Sequence, residues 1–366
     1  MKARCQWCRW CLGYLVGAWC LVPGGWFLAP AAWGVVLGAA APQRGITAAP
    51  LVAKTYDTIL DAAFERVPGE LAATCGPAPR VACLGLEALS LWWHIQLDPD
   101  SRALDAAFSA KVEAAVAEAD RLTRAEPERA EAWFYLGAAY GARAQWRVLR
   151  LERLAAARDG KRIKEALERA LALDPAMHDA EFGLGMYRYY ADVAPAVLKF
   201  LRWLLLLPGG DRVDGLRQVE RAATEGQLVA SEAQYQIHVL DLWYENRPRE
   251  ALALVRGLQA RYPHNPLFHQ IEAEILDVYF HDRAGSLKAS ERLLVLARSR
   301  QVHRADLAEV RARLNLATQL AALHDRARAL EQLDAIIALA PAAPAGALQR
   351  ARRMRTDLER ARPLQF

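Results

Sequence analysis

The sequence predicts an all-α protein, and three observations support this. Segments rich in Ala, Leu, Arg and Glu repeat their apolar residues with a period of about 3.6, which is the period of an α-helix. No stretch alternates apolar and polar residues for long enough to indicate a strand. Proline follows several of the helical segments, as expected because it cannot continue a helix.

The clearest pair of helices begins near Trp133 and closes at Pro175, with Gly137 and Tyr140 in its first helix and Ala170 in its second. This spacing resembles the tetratricopeptide repeat (TPR), a helix-turn-helix unit of about 34 residues. One such unit cannot bury its apolar face alone, so repeats stack into a solenoid. The resemblance implies a TPR-like α-solenoid of antiparallel helix pairs, here with extended helices and insertions.

The same register recurs at other prolines. Paired helices approach to about 8–10 Å, so the positions at which they cross need small or compact side chains. Counting from Pro127, Pro175, Pro263 and Pro341 places such residues there: Ala115, Ala119 and Leu122; Gly185, Gly215, Val219 and Ala222; Ala251, Val255 and Leu258; Ala329, Leu333 and Ile336. We therefore expect one continuous repeat domain over residues 44–366, with about five helix pairs and a C-terminal capping helix.

The first 43 residues have the pattern of a targeting segment. Lys2, Arg4 and Arg9 precede a stretch from Trp10 to Gln43 that has no charged residue and contains a run of small residues near its end. This pattern predicts an exported protein, periplasmic or anchored to the membrane facing the periplasm. A cleaved signal peptide and a retained N-terminal membrane anchor both remain open, as does a translation start after Met1.

Two cysteines lie outside this segment. Cys75 and Cys83 flank a turn containing two prolines, and an oxidising compartment would favour a disulfide between them. A pair of buried thiols is the alternative. The other four cysteines lie in the first 43 residues with no histidine nearby, so we predict no metal site there.

The charge of the chain does not indicate a nucleic-acid-binding protein. The formal net charge is +5, and it drops by three without the targeting segment. Arg143, Arg147 and Arg150 share one helical face and offer a contact for an acidic partner or a lipid headgroup. A solvated face with Glu152 and Glu165 as local partners is the alternative.

The segment from Val193 to Gly210 is the most apolar part of the chain after the targeting segment. It is shorter than the roughly 20 apolar residues that span a bilayer, and it contains Lys199 and Arg202. Two interpretations remain: an inserted core helix, or an amphipathic helix lying on a membrane surface.

This insertion and its flanks resemble, at a distance, the tetratricopeptide repeat protein 39 family and the related fungal mitochondrial inclusion-clearance proteins. The similarity lies in the order of Gly183 and Gly185, an apolar stretch with Pro195, and then Gly210, Asp211 and Gly215. It implies a non-enzymatic helical-repeat protein and supplies no catalytic residues. The targeting segment departs from that family.

Motifs for catalysis do not occur in the sequence. There is no phosphate-binding Gly-x-x-x-x-Gly-Lys loop, no His-Glu-x-x-His pair and no nucleophile elbow. The densest group of histidines, His264, His269 and His281 beside Asp282, spans a turn and a helix rather than one face. We therefore expect a protein that is not an enzyme and that has no cofactor and no metal site.

The TPR resemblance implies a concave partner-binding surface on the first helices of the pairs. The candidate residues there are Phe134, Phe182, Met186, Tyr189, Tyr190, Gln236, Leu240, Trp243 and Tyr244. The Lys and Asn that clamp a peptide carboxylate in related repeats are missing, so aromatic anchors favour an apolar or extended segment of a partner. The alternative is that these side chains pack against the insertions and leave no open groove.

The sequence thus predicts a non-enzymatic exported scaffold that mediates protein–protein interaction through this aromatic-lined concave surface. The expected partner is a protein or peptide, with no nucleic acid and with a membrane surface as a further contact. The alternative function is a membrane-associated component of envelope transport or assembly.

Overall fold

The computed structural model describes residues 44–193, 209–340 and 343–360. The predicted targeting segment, residues 1–43, and residues 194–208 of the apolar insertion lie outside the described residues. The described ranges contain a short π-helical turn, Asp241–Glu245, and fifteen α-helices: α1 Ala49–Leu60, α2 Val67–Thr74, α3 Arg80–Leu97, α4 Asp105–Ala125, α5 Ala130–Leu149, α6 Arg153–Leu173, α7 His178–Val193, α8 Arg212–Glu225, α9 Ala230–Leu240, α10 Pro248–Arg261, α11 Pro266–Val278, α12 Arg283–Arg298, α13 Ala305–Ala322, α14 Arg326–Ala338 and α15 Ala345–Arg360.

Consecutive helices pack as pairs, from α1 with α2 to α13 with α14, and α15 packs on the last pair. The predicted all-α helical-repeat fold is confirmed. The described ranges hold seven pairs, compared with about five predicted. Pairs α1–α2, α7–α8 and α11–α12 are not closed by any of the four prolines that set the predicted register. Gly226 follows α8, and Ser299 follows α12.

Facing glycines allow α7 and α8 to touch backbone to backbone. A Cβ atom on Gly185 would lie 2.6 Å from the carbonyl oxygen of Gly215, and one on Gly215 would lie 2.7 Å from the backbone nitrogen of Tyr189. Gly137 in α5 likewise faces the side chain of Leu167 in α6, with no room for a Cβ. Gly185 and Gly215 require glycine because the neighbouring atoms belong to the backbone of the paired helix, whereas at Gly137 the Leu167 side chain would have to move.

Side-chain caps define where several helices begin. Asp211 accepts a hydrogen bond from the Asp214 amide at the start of α8, at 2.9 Å. Asn265 does the same for Leu267 at α11, where Pro266 occupies the first turn. These caps satisfy amide groups that have no partner within their own helix, which explains why the chain re-enters a helix after short turns.

The disulfide between Cys75 and Cys83 joins the end of α2 to the start of α3, with Cα atoms 5.7 Å apart. We expect its loss to lower the free energy of unfolding by about 2–3 kcal/mol, because it restricts the unfolded chain over a short loop. Urea unfolding with and without reductant measures this. A variant with Cys75→Ser and Cys83→Ser should have the free energy of unfolding of the reduced protein, and adding reductant should not change it. A change on adding reductant to that variant would contradict the assignment.

Candidate partner-binding surface

Helix α1 lies against the first helices of later pairs, on the side where the partner groove was predicted. The Tyr56 hydroxyl donates to Glu232 Oε2 in α9 at 3.0 Å, and both side chains are buried. In the same C-terminal half of α1, the Tyr262 hydroxyl donates to Asp57 Oδ1 at 2.5 Å, and Asn265 Nδ2 donates to the Leu60 carbonyl oxygen at 2.7 Å. Helix α1 is therefore held from α9 to the turn before α11.

The residues before α1 extend this contact toward α5. The amide and hydroxyl of Thr47 both donate to the Glu131 carboxylate in α5, each at 2.8 Å. The Gly45 amide donates to Asp174 Oδ2, in the turn after α6, at 3.0 Å. Residues 45–61 thus cross several successive repeats and occupy this surface in the way a bound peptide would.

Helix α3 contributes a large aromatic side chain to the same interior. Trp93 is fully buried, with its ring 5.4 Å from Tyr235 and 6.1 Å from Phe268, measured between centroids. The predicted alternative was a groove filled by the insertions. Residues 194–208 of the insertion lie outside the described residues, so this alternative stays a prediction. Within the described residues, side chains of α1 and α3 pack against the later helices.

The predicted binding residues divide into buried and exposed groups. Phe134, Tyr189 and Leu240 are buried. Three others are partly buried: Phe182 and Met186 pack on a core cluster between α8 and α9, and Gln236 donates to Glu232 at 3.2 Å. Tyr190, Trp243 and Tyr244 are 37%, 70% and 39% exposed. Only these three members of the predicted set offer a partner substantial contact area, and we call them the aromatic patch.

The two tyrosine rings of the aromatic patch pack on the buried ring of Tyr189. Tyr190 and Tyr244 meet edge to face with centroids 5.9 Å apart, and Tyr189 lies 5.8 Å from each. The π-helical turn carries Trp243 and Tyr244, and Asn246 ends it in the left-handed conformation with φ 53°. Trp243, within this turn, is 70% exposed, whereas Leu240, just before it, is buried.

An ion pair holds the π-helical turn against the start of α8. Arg212 Nε and Nη2 each donate to the Glu245 carboxylate at 2.9 Å, and Nη2 also donates to the Tyr244 carbonyl oxygen. These bonds from Arg212 hold the pKa of Glu245 below its usual value. Sequence reasoning did not identify this pair, because 33 residues separate its members and helical periodicity reports only neighbours on one helix.

The arginine face of α5 is used within the protein. Arg143 and Arg147 both donate to the buried carboxylate of Asp159 in α6, at 2.7 and 2.6 Å. Arg150 donates to Asp105 at 2.8 Å and to two backbone carbonyls in the turn after α3. This face differs from both predicted interpretations. The carboxylates that pair with its arginines belong mainly to neighbouring helices, and Glu152 comes no closer than 3.8 Å, to Arg147.

The densest histidine group has structural contacts. His264 Nδ1 lies 2.7 Å from Asp61 Oδ2, and His269 bonds Gln259 and the Pro263 carbonyl. Among the described residues, no three His, Cys, Asp or Glu side chains are placed to hold a metal ion. Within the same ranges, no helix combines the length and apolar character needed to cross a membrane.

Buried His238 makes stability depend on pH. Burial lowers the pKa of His238 from 6.5 to about 4, so the folded protein binds fewer protons than the unfolded chain between those values. We expect the free energy of unfolding to fall as pH drops below 6.5, with His238 contributing a loss of about 2 kcal/mol by pH 4.5. Urea unfolding at pH 7 and pH 4.5 measures this.

The variant His238→Asn tests this effect, and His324→Asn, at an exposed position, is its matched control. His238→Asn should lessen the pH dependence more than the control does, and part of the dependence should remain because burial also lowers the pKa of His303 to about 4. Equal pH dependence in both variants would rule out His238 as the source.

No protein-family model matches this chain, and no curated protein matches it.

Proposed function

We propose that this protein is a non-enzymatic helical-repeat scaffold that binds an apolar, extended segment of a protein partner through the aromatic patch. The observation that carries the proposal is Trp243, which is 70% exposed beside two further exposed rings. Exposed aromatic side chains provide a large contact area at low conformational cost and are typical anchors of protein interfaces.

The support beneath the patch favours binding. Arg212 and Glu245 hold the π-helical turn in place, so a partner would not have to order it on contact. The proposed contact is narrower than the concave surface expected from the sequence, because residues 45–61 already occupy the space between the repeats. The charge pattern of residues 1–43 favours an exported protein, periplasmic or anchored to the membrane, and this location is part of the proposal.

A photocrosslinking experiment tests the proposal. A photoreactive amino acid replaces Trp243 in the intact protein, which is crosslinked in its native envelope fraction, and the crosslinked peptide is identified. We expect an apolar segment of one protein. That protein should be lost from pull-downs by a Tyr190→Ala, Trp243→Ala variant, which leaves buried Tyr189 intact.

The matched control is a variant with Val278→Ala and Val295→Ala, which removes exposed apolar side chains from α11 and α12. It should retain the partner. Equal capture by both variants would exclude the aromatic patch as the binding surface. Recovery of lipid alone would favour a membrane-associated component of envelope transport or assembly.

A further inference from the structure

Three large aliphatic side chains are exposed around the turn between α5 and α6. The exposed fraction is 60% for Val148, 73% for Leu151 and 64% for Leu154, and all three lie within a stretch of seven residues. Leu151 has a φ of 65°, so the backbone turns sharply at the most exposed of the three. Single exposed aliphatics are common on proteins, but a cluster of three marks a surface that contacts something apolar.

Cationic side chains follow these aliphatics along α6. Leu154, Arg158 and Lys161 lie at i, i+4 and i+7, so they share one face of the helix. Arg158 is exposed and has no acidic partner among the described residues. Lys161 and Arg162 approach only Glu165, at 3.8 and 3.6 Å, where all three side chains are exposed to solvent. Such exposed pairs contribute little and leave the cations available.

A cavity of about 530 Å³ opens beside these cations. Five cationic residues line it, Arg143, Arg147, Arg158, Lys161 and Arg162, against the acidic residues Asp159 and Glu165. Asp159 already accepts hydrogen bonds from Arg143 and Arg147. The cavity therefore keeps an excess of positive charge directed toward solvent, next to the exposed aliphatics.

We propose that this surface, formed by Val148, Leu151, Leu154, Arg158, Lys161 and Arg162, docks onto an anionic lipid bilayer. The cations contact lipid phosphates, and the aliphatic side chains enter the boundary between headgroups and acyl chains. A cationic face beside aliphatic side chains is the pattern of interfacial membrane contacts. A bilayer fits this surface better than an acidic peptide, because it offers phosphates to the cations and an apolar interior to Val148, Leu151 and Leu154.

This docking surface differs from the aromatic patch and goes beyond the proposed function, since neither surface needs the other. A scaffold that holds a protein partner at the patch would be placed at a membrane surface by the turn between α5 and α6. If the protein did not dock onto lipid, the proposal that the aromatic patch binds a protein partner would be unaffected.

Hydrogen exchange on the full chain tests the proposal, because it reports on residues 148–162 separately from any membrane contact of residues 1–43. The protein is mixed with vesicles of phosphatidylcholine alone, or with phosphatidylglycerol added. We expect exchange to slow in residues 148–162 only with the anionic vesicles. A variant with Arg158→Glu, Lys161→Glu and Arg162→Glu should raise the lipid concentration needed for half-maximal protection by roughly 100-fold.

The matched control reverses three other exposed cations, Arg350→Glu, Arg352→Glu and Arg353→Glu in α15, and should leave the protection unchanged. Two further double variants test the contribution of the aliphatic side chains. Leu151→Asn with Leu154→Gln should weaken the protection of residues 148–162 from hydrogen exchange, whereas the control, Val278→Asn with Val295→Gln, should not.

Four results would overturn lipid docking. These are no protection on anionic vesicles, equal protection on neutral ones, the same protection by inorganic phosphate without vesicles, and protection that grows with protein concentration alone. The third would indicate a small-anion site, and the fourth a contact between copies of the chain.

Discussion

Gly185→Ala is expected to lower the free energy of unfolding by about 2–3 kcal/mol, although alanine is the better helix former. The added Cβ would lie 2.6 Å from the carbonyl oxygen of Gly215 and 2.9 Å from Val219 Cγ2. The first of these atoms belongs to the backbone of α8, so no change of side-chain rotamer removes the overlap. Helices α7 and α8 would have to separate. Urea unfolding followed by circular dichroism measures the loss.

Gly257→Ala is the matched control for this substitution. Gly257 lies in α10, is exposed, and has no heavy atom within 4 Å of where a Cβ would be placed. The same chemical change should therefore stabilise the protein by up to about 1 kcal/mol through helix propensity alone. If Gly185→Ala also stabilised the protein, the backbone contact between α7 and α8 would be refuted.

Ile59→Ala is expected to lower the free energy of unfolding by about 2–5 kcal/mol and to loosen α1 from the repeats. Ile59 is fully buried in the main core, together with Trp93 and Phe268. Truncating it leaves a cavity between α1 and its neighbours. Urea unfolding measures the stability, and hydrogen exchange in residues 49–60 reports whether α1 stays docked.

Lys54→Ala, on the exposed side of the same helix, is the control. Lys54 is 62% exposed and contacts Glu70 at 2.9 Å, and Glu70 also lies 3.7 Å from Arg66. An ion pair with an exposed cation contributes about 1 kcal/mol or less. We expect the Lys54→Ala variant to have nearly the same free energy of unfolding as the original protein and to keep α1 protected from hydrogen exchange. Equal exchange in α1 for the two variants would mean that Ile59 does not hold the helix in place.

The helix pairs were predictable because their signals are local. A proline that ends a helix, a glycine at a crossing such as Gly185, and apolar residues at helical spacing each act within one or two neighbouring elements. No closing proline follows the pair α11–α12, so the proline spacing did not predict this pair. Its helices form nonetheless, since their apolar faces are covered by adjacent pairs.

The candidate site was only partly predictable, since periodicity identifies a face without identifying what covers it. Leu240 and Trp243 both belonged to the predicted surface, yet Leu240 is buried and Trp243 is 70% exposed. The π-helical turn that contains Trp243 begins after Leu240. Arg143 was likewise placed on a helical face, while its buried partner Asp159 comes from the next helix.

The sequence by itself determined the all-α class, most of the helix pairs and the small residues at their crossings, because each depends on contacts between elements close in the chain. Tertiary structure decided which surface remains for a partner. Tyr56 meets Glu232 across 176 residues and Tyr262 meets Asp57 across 205, so α1 fills the space between the repeats. Contacts over such separations depend on the assembled repeats, and no pattern within a single helix encodes them.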